Sequence, residues 1–179
     1  MKSRTSKILL IGYRATGKTA VGRELSRMLG CPFRDLDQLI EREAGTTIAK
    51  IVAQEGWEGF RKRERQLFEQ MAESPKKFVL ACGGGAVLHE DVMEKFSKKA
   101  AIVWLKAPLD VMLKRMSSDK NTPSTRPSLT EMDTRLEMEQ VYNERKPLYE
   151  KFAHIIVDTR DKSPFQIAQE INEALKYGW

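Results

Sequence analysis

The sequence is poor in the residues that would indicate an oxidising compartment or a membrane. It has only two cysteines, Cys31 and Cys82, which lie far apart and form no CxxC or Cys/His cluster. This predicts neither a disulfide framework nor a zinc site, and both thiols are expected to be buried in a reducing cytosol. The apolar run behind the basic first residues, 8–11, is too short for a signal peptide or a membrane span. We therefore expect a cytoplasmic protein with no membrane partner.

Aromatic residues are also scarce, at 8% of the chain, and they are not grouped beside the runs of positive charge. The net charge of +6 attracts nucleic acid, phosphate and carboxylate ligands alike, so its sign does not choose among them. A surface that stacks bases needs aromatic side chains among its cations. We therefore expect no nucleic-acid partner.

The chain does have short, continuous apolar runs separated by segments of helical periodicity. The runs at 7–11, 78–81, 100–105 and 154–157 predict strands buried on both faces, and 32–37 predicts a shorter fifth strand. Helices are predicted at 18–29, 57–73, 108–116, 130–151 and 164–175, and a further helical pattern begins just after Asp37. This alternation indicates an α/β fold with a parallel sheet covered by helices. The length of 179 residues fits a single domain.

One stretch, 117–128, is rich in Ser, Thr and Pro and lacks large apolar residues. We interpret it as a mobile loop within the domain, because long loops of this kind are often functional.

A phosphate-binding motif lies between the first strand and the first helix. Residues 12–19, GYRATGKT, fit GxxxxGK[ST] in the structural context that the motif requires. The glycines let backbone N–H groups converge on phosphate oxygens at the start of a helix. Lys18 is expected to reach the β- and γ-phosphates, and Thr19 to bind Mg²⁺. Kinases, GTPase switches and motor ATPases share this loop, so it does not identify an acceptor.

Four weaker signals follow, and each has an ordinary structural explanation. Asp35 and Asp37 would point to one side if the strand reached them, yet an Asp before a helix is more often an N-cap. The run 60–65, FRKRER, would ordinarily be a solvated helix face, and the glycines of 83–85 a flexible turn. Arg145, near the end of a long helix, would complement the helix dipole.

Taken together, these motifs resemble the shikimate kinase family over essentially the whole chain. The family combines a P-loop, a DxD pair, an FRxxE segment, a strand-ending GGG, an arginine before proline in a lid, and an RxPLY-like segment. This sequence has all six in that order: 12–19, Asp35/Asp37, Phe60/Arg61/Glu64, 83–85, Arg126/Pro127, and Arg145/Pro147/Leu148/Tyr149. The resemblance implies a three-layer P-loop kinase fold, like that of nucleoside monophosphate kinases, with a central five-stranded parallel sheet.

The resemblance also implies a reaction, in which ATP and Mg²⁺ serve to phosphorylate the 3-hydroxyl of shikimate in the pathway to chorismate and aromatic amino acids. A monomer is expected. Asp37 would hold the acceptor hydroxyl and act as base, with Arg61, Gly84 and Arg145 binding shikimate and Glu64 holding the arginines in place. Asp35 would be the outer Mg²⁺ partner beside Thr19. Lys18 and the lid residue Arg126 would be catalytic. Nucleotide contacts would come from Ala15, Thr16, Gly17, Lys18, Thr19, Ala20, Arg126 and, beside the adenine, Pro164.

The sequence departs from the family pattern at a few positions. Ala15 stands where glycine is common, Ser128 where leucine is usual, and the lid carries Pro123, which leaves open whether Arg115 or Lys120 contacts ATP. Two other functions stay open: a related small-metabolite kinase such as a gluconate kinase, and a non-catalytic nucleotide-binding module that holds a partner or RNA.

Overall fold

The computed structural model of the chain describes residues 7–118 and 134–178, and within them five strands form one sheet. The strands are β1 (Lys7–Ile11), β2 (Phe33–Asp35), β3 (Phe78–Ala81), β4 (Ala100–Lys106) and β5 (Ile155–Asp158). They pair in parallel in the order β2-β3-β1-β4-β5. The predicted five-stranded parallel sheet is confirmed.

Seven α-helices and one 3₁₀ turn lie in the described part of the chain. The helices are α1 (Lys18–Leu29), α2 (Leu36–Ala44), α3 (Ile48–Glu73), α4 (Glu90–Ser97), α5 (Leu109–Ser118), α6 (Thr134–Phe152) and α7 (Pro164–Tyr177), and the 3₁₀ turn is Ala86–Leu88. Each predicted helix is present, 18–29 with the predicted ends and the others with shifted ends. Helix α2 corresponds to the helical pattern predicted after Asp37 but begins at Leu36, and α4 was not predicted. The predicted start of α6, residues 130–133, lies outside the described residues.

The sheet is covered by helices on both faces. In β1, Leu9 and Ile11 pack into one apolar cluster, while Ile8 and Leu10 pack into another on the opposite face. Residues of α2, α3, α4 and α6 complete the first cluster, and residues of α1 and α7 complete the second. The continuous apolarity of the strand therefore reflects burial on both faces, which gives three layers.

Helix α3 begins earlier than the sequence predicts. Its N-cap, Thr47, accepts a hydrogen bond from the backbone N–H of Lys50, and helical structure then continues to Glu73. Gly56 interrupts the helix with φ 70° and ψ 178°. A glycine takes this conformation readily, so two helical segments meet at a kink where the sequence pattern suggested a start.

The second strand ends before the DxD pair is complete, which corrects the prediction for 32–37. Asp35 is the last residue of β2 and also the N-cap of α2, because its Oδ1 accepts hydrogen bonds from the backbone N–H groups of Asp37 (3.1 Å) and Gln38 (3.3 Å). Asp37 therefore lies in the first helical turn. Strand alternation does not place the two carboxylates, and the N-cap alternative is confirmed.

The proposed lid lies almost wholly outside the described residues. Helix α5 continues to Ser118, so the first two residues of the segment 117–128 are helical. Lys120, Pro123, Arg126 and Ser128 lie beyond the described part.

The two thiols differ in burial. Cys82 is buried, as predicted, whereas Cys31 is only half-buried, which corrects that expectation. Desolvation raises the pKa of both thiols, so both are held in the protonated form.

In the part of the chain that the structure describes, no helix is long and apolar enough to cross a membrane.

Candidate active site

The loop of residues 12–19 leaves β1 at its carboxyl end and curls into α1. Gly12 has φ 142°, and a Cβ atom at this position would collide with the carbonyl oxygen of Leu105 in the neighbouring strand β4. Gly17, with φ 91°, is the N-cap of α1. Both positions need the conformational freedom of glycine. The loop therefore lies over the N-terminus of α1, where backbone N–H groups favour an anion.

The backbone conformation of Ala15 is one that glycine adopts more readily. Its φ is 60°, in the left-handed region that costs an L-amino acid roughly 1–2 kcal/mol. Two contacts hold the loop in this shape: Thr16 Oγ1 donates to the carbonyl of Tyr13 (2.9 Å), and Arg115 Nη1 donates to the carbonyl of Ala15 (3.2 Å). Arg115 also donates to Thr159 Oγ1 (3.0 Å) and to its carbonyl (2.9 Å). Arg115 thus connects the loop to the segment after β5.

Lys18 folds back over its own loop. Its side-chain Nζ donates to the carbonyl oxygens of Gly12 (2.9 Å) and Tyr13 (2.7 Å), and the residue is 7% exposed. The ammonium group is therefore held at the loop, next to the N-terminus of α1. A phosphate bound there would meet both the positive helix end and the lysine charge.

Thr19 and Asp35 come together as the resemblance implied. Thr19 Oγ1 donates to Asp35 Oδ2 (2.8 Å), while the other carboxylate oxygen of Asp35 caps α2. The cap fixes the carboxylate, so the hydroxyl and one carboxylate oxygen share a defined place beside the phosphate-binding loop. Hydroxyl and carboxylate oxygens are the ligand types that Mg²⁺ prefers, so these residues fit a magnesium site.

A cleft of about 430 Å³ opens directly beside this loop. Tyr13 and Arg14 of the loop form part of its wall. The four residues predicted to bind the acceptor all line it, namely Asp37, Arg61, Gly84 and Arg145. Residues far apart in the sequence thus meet at the carboxyl ends of β1, β2 and β3, where ligands bind in open α/β sheets.

The glycines after β3 allow charged groups to approach the end of the strand. A Cβ atom on Gly83 would lie 2.8 Å from Asp37 Oδ1 and 2.9 Å from Glu64 Oε1. A Cβ atom on Gly85 would collide with the guanidinium of Arg61. Gly83 and Gly85 therefore allow charged side chains of the site to pack closely against the strand end, which is more than the flexible turn of the ordinary explanation.

Arg61 is anchored by a fully buried carboxylate. Its Nη1 donates to Glu64 Oε2 (2.5 Å), and its guanidinium lies 5.1 Å and 5.7 Å from the ring centroids of Phe60 and Trp57. His89 Nε2 lies 3.0 Å from the same oxygen of Glu64. Burial opposes ionisation of Glu64, but His89 and Arg61 outweigh it, so the pKa of Glu64 is lowered. Among the described residues, Glu64 Oε1 has no hydrogen-bond partner.

Arg145, on α6, lines the same cleft as Arg61. It is 9% exposed, and its Nη1 would lie 3.6 Å from a Cβ atom on Gly84. Burial lowers the pKa of Arg145, and the charge of Arg61 contributes in the same direction. Two cations that line one cleft favour an anionic ligand there. One turn along α6, the buried Tyr149 hydroxyl donates to the carbonyl of Gly84 (2.5 Å), which fixes that peptide.

The basic run at the start of the second half of α3 divides between two environments. Arg61 points into the cleft, whereas Arg63 bonds Glu55 at 2.7 Å and 3.1 Å, with its side chain 40% exposed. Arg65 pairs with Asp91 (2.6 Å). The solvated-face explanation therefore holds for Arg63 and Arg65 but not for Arg61.

Two predicted nucleotide contacts lie at helix starts. Ala20 is exposed in the first turn of α1, next to Thr19. Pro164 is exposed as the first residue of α7, behind the N-cap Ser163. The adenine contact of Pro164 stays a prediction.

Two residues of the site, Trp57 and His89, and the contact of Tyr149 with Gly84 were not found from the sequence. Trp57 had a usable signal, since it precedes Arg61 by four residues and therefore shares its face of the helix. His89 and Glu64 are 25 residues apart, and Tyr149 and Gly84 are 65 apart. Contacts at such separations leave no local pattern.

A phosphate-binding loop alone also serves switches and motors, but those proteins do not need a cleft with a carboxylate and two arginines at the edge of the loop. An enzyme that passes phosphate to a second small anionic molecule does. Fold and site together therefore define a P-loop kinase of the class that acts on small metabolites.

Comparison with known proteins narrows this class. The family model described as shikimate kinase matches residues 14–176. A shikimate kinase from Syntrophus aciditrophicus is 39% identical, covering 92% of this chain and 88% of that protein, and one from Francisella tularensis subsp. novicida is 37% identical, covering 96% of each. The structure of the shikimate kinase from Acinetobacter baumannii in complex with shikimate superimposes with a TM-score of 0.86 at 35% identity, covering 94% of this chain and 91% of that one. This chain belongs to the shikimate kinase family.

A gluconokinase from Sinorhizobium meliloti 1021 also superimposes, with a TM-score of 0.61 at 18% identity, covering 98% of this chain and 94% of that one. At this identity the likeness shows the P-loop kinase fold alone.

Proposed function

We propose that this chain is a shikimate kinase, which transfers the γ-phosphate of ATP to the 3-hydroxyl of shikimate and releases ADP and shikimate 3-phosphate. The observation that carries the proposal is the cleft beside the phosphate-binding loop, which is lined by Asp37, Arg61, Gly84 and Arg145 together. Membership of the family supplies the acceptor and the use of ATP. The product continues towards chorismate and the aromatic amino acids.

The acceptor's carboxylate binds between Arg61 and Arg145. A guanidinium donates two parallel hydrogen bonds to a carboxylate, and both arginines line the cleft. Partly buried cations gain from such a partner, because an anion offsets the cost of their desolvation. The backbone of Gly84, held by Tyr149, supplies a further contact next to Arg145.

The nucleotide's phosphates lie over the loop 12–19 with Lys18, and the backbone from Ala15 to Ala20 contributes N–H groups. Thr19 would be a direct ligand of Mg²⁺, and Asp35 would be its outer partner. When bound, the ion neutralises negative charge on the phosphate oxygens. Arg126 adds a second positive charge from the lid, and Pro164 lies beside the adenine.

Asp37 orients the acceptor hydroxyl. Its Oδ1 lies against Gly83 at the junction between the cleft and the phosphate-binding loop. The acceptor oxygen forms a bond to the γ-phosphorus, the bond from that phosphorus to the β,γ-bridging oxygen breaks, and the hydroxyl proton passes to the carboxylate of Asp37. Phosphoryl transfer depends mainly on alignment and charge neutralisation, so orientation by Asp37 matters as much as basicity.

We further propose that the protein acts as a cytoplasmic monomer of one domain, 1–179, without a nucleic-acid or membrane partner. The pairing of Arg63 with Glu55 and of Arg65 with Asp91 supports this view of its partners, because acidic side chains neutralise these cations of α3.

An assay that couples ADP release to NADH oxidation, run with shikimate, with gluconate and without acceptor, tests the function. We expect release of ADP to depend on shikimate. Turnover with gluconate but not shikimate would favour the related kinase, and ATP binding without turnover would favour the non-catalytic module.

A further inference from the structure

His89 lies at a fixed point between the glycine run and α4. It follows the 3₁₀ turn Ala86–Leu88, and its backbone N–H donates to the carbonyl of Ala86 (3.1 Å). Its own carbonyl accepts hydrogen bonds from the N–H groups of Val92 (3.0 Å) and Met93 (2.9 Å). Hydrogen bonds thus hold the backbone of His89 on both sides, and they fix the position from which its side chain extends.

The imidazole reaches a carboxylate that belongs to the acceptor site. His89 Nε2 lies 3.0 Å from Glu64 Oε2, with the two side chains 11% and 0% exposed. The pKa of Glu64 is lowered despite its burial, so Glu64 is a carboxylate and only accepts hydrogen bonds. His89 must therefore donate from Nε2. The sequence motifs did not single out this residue, and it does not line the cleft.

Glu64 Oε2 is shared by two donors, His89 and Arg61. Arg61 and Glu64 are both on α3, three residues apart, so their bond alone does not relate the guanidinium to the glycine run. The bond from His89 adds a directional link to the packing of Gly83 and Gly85 against these side chains, because His89 follows the glycine run along the chain. Glu64 Oε1, which has no hydrogen-bond partner among the described residues, does not fix the carboxylate in another way.

We propose that His89 is a positioning residue for acceptor binding: its imidazole fixes the Glu64 carboxylate, and through it the guanidinium of Arg61, relative to the glycine run 83–85. This inference rests on the proposed function, since it assumes that Arg61 receives the acceptor's carboxylate. Its effect is on acceptor affinity, because Lys18 and Thr19 bind through other contacts at the nucleotide end of the site.

The test compares His89→Leu, which has no donor, with His89→Gln, whose side-chain amide restores an N–H donor of similar reach. Loss of a hydrogen bond to a charged group changes binding by roughly tenfold or more, so we expect the shikimate KM of His89→Leu to rise about tenfold. The ATP KM and kcat should stay at wild-type values, and His89→Gln should recover most of the loss. His154→Leu is the matched control, because it also removes a histidine hydrogen bond, the one that His154 Nδ1 accepts from the backbone of Ile102 (3.2 Å), away from the cleft.

Thermal unfolding of all three variants separates positioning from loss of stability. An unchanged shikimate KM in His89→Leu, or a His89→Gln variant no better than His89→Leu, would overturn the inference while wild-type turnover leaves the proposed function intact. If kcat and both KM values worsen together, in proportion to a fall in Tm, the inference is also overturned. A wild-type chain that does not phosphorylate shikimate contradicts the proposed function, and the inference fails with it.

Discussion

Replacing Arg61 by lysine keeps the positive charge of the acceptor site but removes the planar fork. In the structure one arm of the fork, Nη1, is already bonded to Glu64 at 2.5 Å, so the guanidinium serves an internal partner and a ligand at once. The ammonium of a lysine carries its three N–H donors on one nitrogen at the end of a flexible chain, so it has no planar pair of parallel donors. It cannot keep both the bond to Glu64 and two parallel bonds to a carboxylate.

The size of the effect follows from the bonds that are lost. A hydrogen bond between charged groups contributes about 1.5–3 kcal/mol, and each 1.4 kcal/mol is about a factor of ten in affinity. Loss of one such bond therefore raises the shikimate KM of Arg61→Lys by about 10- to 150-fold. The ATP KM should not change, because the phosphate-binding loop makes its contacts through Lys18 and Thr19.

Steady-state kinetics with both substrates varied provides the measurement. Arg63→Lys is the matched control, since Arg63 lies two residues further along α3 and bonds Glu55 (2.7 Å) on the solvated face. We expect Arg63→Lys to behave like wild type. If the shikimate KM of Arg61→Lys also stays at the wild-type value, Arg61 does not bind the acceptor's carboxylate and the reasoning is wrong.

Two further predictions concern stability. Ala15→Gly should raise the free energy of unfolding, measured by urea titration, by up to about 1 kcal/mol, because glycine relieves the left-handed φ of 60° at a smaller entropic cost. The control Ala20→Gly lies in regular helix and should lower the free energy of unfolding by about 1 kcal/mol. Equal losses in both variants would contradict the assignment of strain to Ala15. Burial lowers the pKa of His154 below its unfolded value, so the unfolded chain binds more protons and stability falls as the pH drops through about 6.5. Protonation of Nδ1 also removes the acceptor for the Ile102 N–H. His154→Asn keeps an acceptor oxygen, so its free energy of unfolding should depend less on pH between 7.5 and 5.5. If the slope of that free energy against pH is unchanged, His154 is not the cause.

The parallel sheet and the phosphate-binding loop could be predicted because their signals are local. Each central strand is a continuous apolar run, and the structure buries its two sides in separate clusters, as with Leu9 and Leu10 in β1. The loop motif stood directly between such a run and a helix. Ala15, which stands in the loop where glycine is common, was visible in the sequence, but its left-handed φ was not.

The errors occurred where two local rules compete. Asp35 satisfied both strand alternation and the N-cap preference, and the cap prevailed because it provides acceptors for two N–H groups at the start of α2. Gly56 made the first half of α3 look like a loop, although a glycine with φ 70° joins two helical segments there. In each case a side chain or a glycine ended one element and began the next.

The acceptor site was predicted only in outline. Arg61, Gly84 and Arg145 were named from motifs, and the structure brings them to one cleft. The groups that hold them, Glu64 with His89 and Tyr149 with the peptide of Gly84, are tertiary contacts. The resemblance implied that Glu64 holds the arginines. Composition and periodicity carry no record of its bond to His89 or of the bond from Tyr149 to Gly84, which the three-dimensional structure reveals.

The most direct test of the account identifies the product. Purified protein is incubated with ATP, Mg²⁺ and shikimate, and the mixture is followed by ³¹P and ¹H NMR spectroscopy. A shikimate kinase yields one equivalent of ADP for each phosphate monoester formed, with the ester on the 3-hydroxyl of shikimate. Consumption of ATP without phosphorylated shikimate, or an ester on a different hydroxyl, would contradict the proposed function.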